Sequence, residues 1–180
     1  MTQRAARADA LRNRAKILAA ASDAFARDGA EVPLDTIAGL AGVGPGTVHR
    51  HFPTKQSLLS AVVAARVGRL AERAEQLSAD PTANFFDFLA ELADEARHNL
   101  VLTEALGGKI GAEADQPAQR LSRALESLLQ GAQRSGAVRS DLTVRDLHAI
   151  ILGALTIENR LTAGHEGLGL QVVFQGLRNW

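Results

Sequence analysis

Apolar residues recur at helical spacing along nearly the whole chain. Over residues 9–28, Leu11, Ile17, Leu18, Ala21, Ala24 and Phe25 form one stripe of 3.6 period among many alanines, which predicts an amphipathic helix stopped by Gly29. Leu34, Ile37, Ala38 and Ala41 predict a short second helix over 34–41, entered at Pro33 and closed by Gly42. A third short helix is expected from about Pro45 to Phe52. A long fourth begins near Thr54, whose hydroxyl can cap it, with Leu58, Leu59, Val62, Val63, Val67 and Leu70 on its apolar face. Beyond residue 80 the spacing stays helical. Pro81 and Thr82 open a segment built on Phe85, Phe86, Phe88, Leu89 and Leu92, and a weaker segment is expected around Leu100–Leu106 before Gly107, Gly108 and Gly111 break the chain. Further helices are expected over 117–134, ended by Ser135 and Gly136, over 141–161, and from about Gly169 to Trp180. Ile150–Ile157 is apolar nearly all round, the mark of burial from more than one side. No period-2 pattern persists and no internal repeat is evident, so the expected fold is all-α, with about nine helices.

Composition narrows the class. With 46% hydrophobic and 22% charged residues, the 180-residue chain has an ordinary globular balance, so a packed core is expected rather than disorder. The absence of cysteine excludes disulfides, thiolate zinc sites and cysteine nucleophiles, and fits a reducing cytoplasm. Residues 2–14 are polar and arginine-rich, without the apolar stretch of a signal peptide, and the apolar run 149–155 is too short to span a bilayer. A soluble, cytoplasmic protein with no membrane partner is expected. Net charge is zero, but residues 1–60 hold eight Lys/Arg against five Asp/Glu while residues 61–180 hold twelve against fifteen. The first part is therefore the better candidate for a polyanion partner, although an asymmetry of that size also arises by chance.

The stretch 34–59, LDTIAGLAGVGPGTVHRHFPTKQSLL, reads as a short helix, a tight turn and a second short helix. Small Ala38 permits close helix crossing, Gly42 suits a positive φ, and Val43 and Val48 can lock the pair, which together describe a helix-turn-helix. Gly44 can serve as N-cap and Pro45 as the first helical residue. With Gly46 and Thr47 they leave amides and a hydroxyl open to phosphate, and Arg50 can reach a guanine edge. Other chemistries fit less well. His49 and His51 are two apart on a helix and point to different faces, so they cannot easily share a metal ion. Gly42, Gly44 and Gly46 lack the preceding strand and the lysine of a nucleotide-binding loop.

AGVGPGTVHRHFPTKQSLL, preceded by RNRAKILAAASDAFARDG, resembles the N-terminal domain of TetR-family transcriptional regulators over roughly residues 12–60. The resemblance implies that Pro45, Gly46 and Arg50 approach bases, and that Thr47, His49, His51 and Lys55 hold phosphates of double-stranded DNA. Two positions depart from the family pattern: His49 stands where tyrosine is usual, and Pro33 where serine or threonine commonly caps the second helix and touches phosphate. That phosphate contact is then either absent or supplied by Thr36. Arg4, Arg7, Arg12 and Arg14 either reach along the DNA or form a disordered, solvated arm.

By the same resemblance, residues 1–60 form a DNA-binding domain and 61–180 a domain that binds a small effector and forms a homodimer. Ile150, Ile151, Leu155, Leu161, Val173, Phe174 and Leu177 exceed what one small bundle buries, and Gly153 and Ala154 allow close approach, so the last two helices are the expected dimer face. An effector cavity is expected among Phe85, Phe86, Phe88, Leu89, Leu102, Leu106, Leu125, Leu129, Ile151 and Leu155, with His98, Asn99, Glu158 and Asn159 as polar anchors. Few aromatics favour an aliphatic or amphipathic ligand. Asp94 and His98, four apart, allow a metal pair or a general base but more simply an ion pair. With no HExxH or GxSxG and no recognisable catalytic spacing, neither an enzyme, a resident metal nor a cofactor is expected. The contrasting readings are a helical-bundle enzyme and a structural helical dimer with a vestigial DNA-binding domain. The reading adopted is a regulator, a repressor released from a palindromic operator by its effector.

Overall fold

The computed structural model describes residues 2–77, 81–105, 112–158 and 167–179, without the side chains of 2–4, 81–83, 98–105 and 158. The described residues form α1 (Thr2–Asp28), α2 (Leu34–Ala41), α3 (Pro45–His51), α4 (Lys55–Leu77), α5 (Pro81–Ala105), a 3₁₀ turn (Ala112–Ala114), α6 (Asp115–Arg134), α7 (Val144–Glu158) and α8 (Leu168–Leu177). Among them there is no strand, only an isolated antiparallel bridge between Val138 and Arg178, so the chain is all-α as its periodicity predicts.

Two elements differ from expectation. The segments anticipated around Phe85 and around Leu100–Leu106 form one helix, α5, because no glycine or proline interrupts the chain between Thr82 and Ala105. The arginine-rich N-terminus belongs to α1 from Thr2 onward rather than to a disordered arm. Alanine and arginine are strong helix formers, and Arg12 pairs with Asp9 one turn earlier. Leu11, expected on the buried stripe, is 69% exposed. Six residues before Ile17, it lies about 120° round the helix from it.

The chain divides into two compact units, residues 1–66 with 98–115, and residues 67–97 with 116–180. The division expected at 60/61 falls inside α4, which contributes 55–66 to the first unit and 67–77 to the second. In the first unit Ile17, Ala21 and Phe25 of α1, Ile37 and Ala38 of α2, Val48 of α3, Phe52, and Leu58 and Val62 of α4 are buried. Thr54 and Ser57 cap α4 reciprocally: the Ser57 N–H donates to Thr54 Oγ1 (3.0 Å) and the Thr54 N–H to Ser57 Oγ (3.2 Å).

The core of the second unit is built on Phe85, Phe88 and Leu89 of α5, Leu125, Leu128 and Leu129 of α6, Leu147, Ile151 and Leu155 of α7, and Leu170 and Leu177 of α8. Each such side chain contributes about 1.5–3 kcal/mol on burial. Polar contacts tie the helix ends. The Thr143 hydroxyl and N–H both donate to Asp146 Oδ2 (2.6 and 3.0 Å) while the Asp146 N–H donates to Thr143 Oγ1 (3.2 Å), capping α7. These bonds hold the Asp146 carboxyl below the usual carboxylate range. Arg120 of α6 donates twice to Glu75 of α4 (3.1 and 2.7 Å), which lowers Glu75 in the same way. Arg139 donates twice to Asp141 (both 2.6 Å), with the same effect on that carboxyl.

Candidate nucleic-acid interface

The turn between α2 and α3 is set by its local sequence. Gly42 adopts φ 64°, and its N–H and that of Val43 donate back to Gly39 O (3.2 Å) and Ala38 O (3.1 Å), the paired bonds of a Schellman stop. Gly44, extended at φ −69°, is the N-cap of α3; its carbonyl accepts from the Thr47 N–H at 2.8 Å. Pro45 follows at the first helical position, where its missing N–H costs nothing. At the other end the Phe52 N–H donates to Val48 O at 2.7 Å. Val48 is fully buried and Phe52 nearly so, one turn apart on the inward side of α3.

That orientation leaves Pro45, Gly46, His49 and Arg50 exposed and Thr47, His51 and Lys55 half-buried. Seven of the eight residues singled out for DNA contact thus lie on α3 or at the first residue of α4. Thr36, the eighth, is exposed in the first turn of α2. Pro33 is the N-cap of α2 and makes no side-chain capping bond. The Arg50 guanidinium lies back along its own helix, with Nε donating to Gly46 O (3.1 Å) and a terminal nitrogen to Thr47 Oγ1 (3.3 Å). His51 meets Phe52 with ring centroids 6.3 Å apart.

Two acidic residues absent from the sequence-based set enter here. Glu31 lies 3.4 Å from Lys55 Nζ, and Asp35 lies 4.0 Å from His49 Nε2. Nothing in the sequence pairs Glu31, in the loop before α2, with a residue 24 positions later; the folding of the first unit does. An isolated exposed pair of this kind is worth under about 1 kcal/mol, little enough for a polyanion to displace.

The other candidate positions sort differently. Phe85, Phe88, Leu125, Ile151 and Leu155, expected around a cavity, are all 4% exposed or less and belong to one continuous core. The side chains of His98, Asn99, Leu102 and Glu158, and the whole of Leu106 and Asn159, lie outside the described residues. Asp94 is 3.5 Å from Arg97. Among the described residues no group of three or more metal-ligating side chains is assembled, and no helix is long and apolar enough to cross a membrane.

Of the expected dimer face, Ile150, Gly153, Ala154 and Val173 line an apolar groove between α7 and α8, together with Ile157, Leu168, Gly169 and Val172. Leu177 is instead buried in its own unit, and Phe174 packs against that core with its ring 6.2 Å from Phe86. The turn of α8 that carries them faces inward. Leu161 lies outside the described residues. Ile157 (56% exposed), at the end of the run 150–157 expected to be buried from more than one side, and Val172 (59%), which the sequence reading did not name, carry open apolar surface.

Comparisons with known proteins agree over both parts of the chain. Residues 17–62 match the model described as bacterial regulatory proteins, tetR family, and residues 80–179 match that of the SbtR-like transcriptional regulator C-terminal domain. A TetR transcription regulatory protein from Mycobacterium vanbaalenii is 38% identical, covering 96% of this chain and 98% of its own, with a TM-score of 0.73. A TetR transcriptional regulator from Streptomyces coelicolor is 29% identical over 92% of this chain and 98% of its own, with a TM-score of 0.72. A third structure, described as the molecular basis for control of antibiotic production by bacterial hormones, is 26% identical over 90% and 93%, with a TM-score of 0.68. A search of curated protein sequences finds no match.

Proposed function

Because the chain belongs to the TetR family of bacterial transcriptional regulators and is thus a transcription factor rather than an enzyme, we propose that it is a cytoplasmic homodimeric repressor that leaves a palindromic operator when a small effector binds. The observation that carries this reading is the outward face of α3. Pro45, Gly46 and Arg50 stand clear of the core along a helix anchored by Val48 and Phe52, while Lys55 sits at the first residue of α4. In this reading Pro45, Gly46 and Arg50 approach base edges in the major groove, and Thr47, His49, His51 and Lys55 hold phosphates. Thr36 supplies the contact that Pro33 cannot make, since its hydroxyl lies in the first turn of α2. In this reading Arg50 exchanges its bonds to Gly46 O and Thr47 Oγ1 for a guanine edge on binding.

Residues 1–60 act as the DNA-binding domain and 61–180 as the effector and dimerisation domain. The open groove of α7 and α8 is the dimer face: Gly153 and Gly169 allow close approach, and Ile157, Leu168 and Val172 expose apolar surface that a second copy covers. Two α3 helices then enter successive major grooves about 34 Å apart. Effector binding among the α5–α7 side chains changes that spacing by shifting α4, the helix that runs through both units. The relative described in terms of bacterial hormones supports the effector half of this reading, and the mainly aliphatic core supports an aliphatic or amphipathic ligand.

Selection of bound sequences from a random DNA pool, followed by affinity measurements on the winner and on scrambled DNA at two salt concentrations, tests the proposal. The expected result is an enriched palindrome bound with steep salt dependence. A folded protein that enriches no sequence overturns it.

A further inference from the structure

Arg14 of α1 occupies a junction that the DNA-reading face does not account for. Its guanidinium carbon lies 5.3 Å from the ring centre of Phe52, the residue that closes α3, and a terminal nitrogen lies 3.4 Å from Glu113 Oε2. Phe52 is 2% exposed, so its ring is a fixed platform. Glu113 stands in the 3₁₀ turn 112–114, which is anchored by Ala114 (2% exposed) and runs directly into α6. All three residues lie within the first compact unit, while α6 from residue 116 onward belongs to the second. A guanidinium over an aromatic face is held by the ring quadrupole, and an acid on its edge fixes which way the plane lies.

We propose that Arg14 is a positioning residue for the recognition helix, oriented by Glu113, so that the start of α6 sets the seating of the α3 C-terminus through Glu113, Arg14 and Phe52. The inference rests on α3 being the helix that reads DNA. Arg14 also has a simpler use, as a cation that touches a DNA phosphate directly. The two uses predict opposite signs for one substitution. If Arg14 serves only as a cation, Glu113→Gln releases it and removes a negative charge, and DNA binding tightens on every sequence. If Arg14 positions α3, Glu113→Gln loosens the seating of Phe52 and weakens operator binding, although the protein has become more positive.

The experiment measures affinity for the selected operator and for scrambled DNA with the wild-type chain, Glu113→Gln, Arg14→Ala, Arg14→Lys and the double variant Arg14→Ala/Glu113→Gln, with melting temperatures alongside. Glu113→Gln is expected to lower the operator-to-scrambled affinity ratio roughly two- to tenfold, the range over which a coupling contact acts. Its melting temperature should stay within a few degrees of the wild type, because the pair is exposed. In the Arg14→Ala background the same change should have no further effect, since Glu113 acts through Arg14. Arg14→Lys, which keeps a cation for both partners, should recover part of the ratio that Arg14→Ala loses. A ratio unchanged or raised in Glu113→Gln, or equal losses on both DNAs, overturns the inference while leaving the regulator reading intact. A wild-type protein that does not distinguish operator from scrambled DNA overturns both.

Discussion

The helix-turn-helix and the α7–α8 pair use apolar residues in opposite ways. In the first, a few buried side chains, Ile37, Ala38, Val48 and Phe52, anchor two helices of eight and seven residues, and the outward face is mostly polar and small, with Leu40 (53% exposed) as the large apolar exception. In the second, apolar residues point both ways. Leu147, Ile151, Leu155 and Leu177 fill the core, while Leu152, Ile157, Leu168 and Val172 face outward. The geometry of the first region follows from residues within a turn of one another. That of the second depends on which of many equivalent leucines, isoleucines and valines the rest of the bundle covers.

Substitutions can break this contrast at either end. The largest effect is expected from Phe88→Ala, which empties a fully buried position and should cost about 3–5 kcal/mol in thermal or denaturant unfolding. A cost below about 1 kcal/mol would mean that the core around α5 is not close-packed. Val172→Asp places a charge on the groove without touching the core. It should leave folding intact and weaken self-association roughly a hundredfold in sedimentation, whereas an unchanged dimer would remove this face from the interface.

On the other side of the comparison, Arg50→Ala should cost about 1–3 kcal/mol in operator affinity and spare scrambled DNA. Lys55→Ala should weaken both alike and lower the salt slope by about one. Equal losses on both DNAs for both variants would erase the division between base and phosphate contacts. Gly42→Ala tests how far the turn is locally determined. Nothing lies within 4 Å of an added Cβ, so the expected loss of about 1–2 kcal/mol in stability is purely the cost of a left-handed backbone.

The smallest effect is expected from acid. Glu75, Asp141 and Asp146 have folded-state pKa values below their ordinary ones, through hydrogen bonds from Arg120, Arg139 and Thr143 respectively. Their contribution is complete above the unfolded carboxylate range, about pH 4, and is lost as pH falls through the lower folded values. Hydrogen exchange between pH 5 and pH 3 should therefore show α6 and the start of α7 losing protection before α2 and α3. The reverse order would show that these pairs do not hold the second unit.

Much of the first region was legible in the chain. Gly42, Gly44 and Pro45 place the stop and start of two helices by their own backbone preferences, and the family resemblance over residues 12–60 supplied eight candidate contacts, seven on α3 or at the first residue of α4 and the eighth, Thr36, on α2. The second region was legible as helices but not as faces. Leu177 reads as a dimer-face residue from periodicity and Val172 is not singled out, yet Leu177 is 3% exposed and Val172 59%. The join of the two segments near residues 92–100 into one α5 was missed because weak periodicity resembles a break when no breaker residue is considered.

The sequence by itself determined the helical class, the sites of the glycine and proline punctuation, and the helix that carries the candidate DNA contacts, because each depends on residues within one or two turns. Only the tertiary structure decided that Glu31 answers Lys55, that Arg14 lies between Phe52 and Glu113, and which apolar residues of α7 and α8 remain uncovered. Those outcomes depend on which surfaces meet across tens of residues, and the period of a helix carries no information about its neighbours.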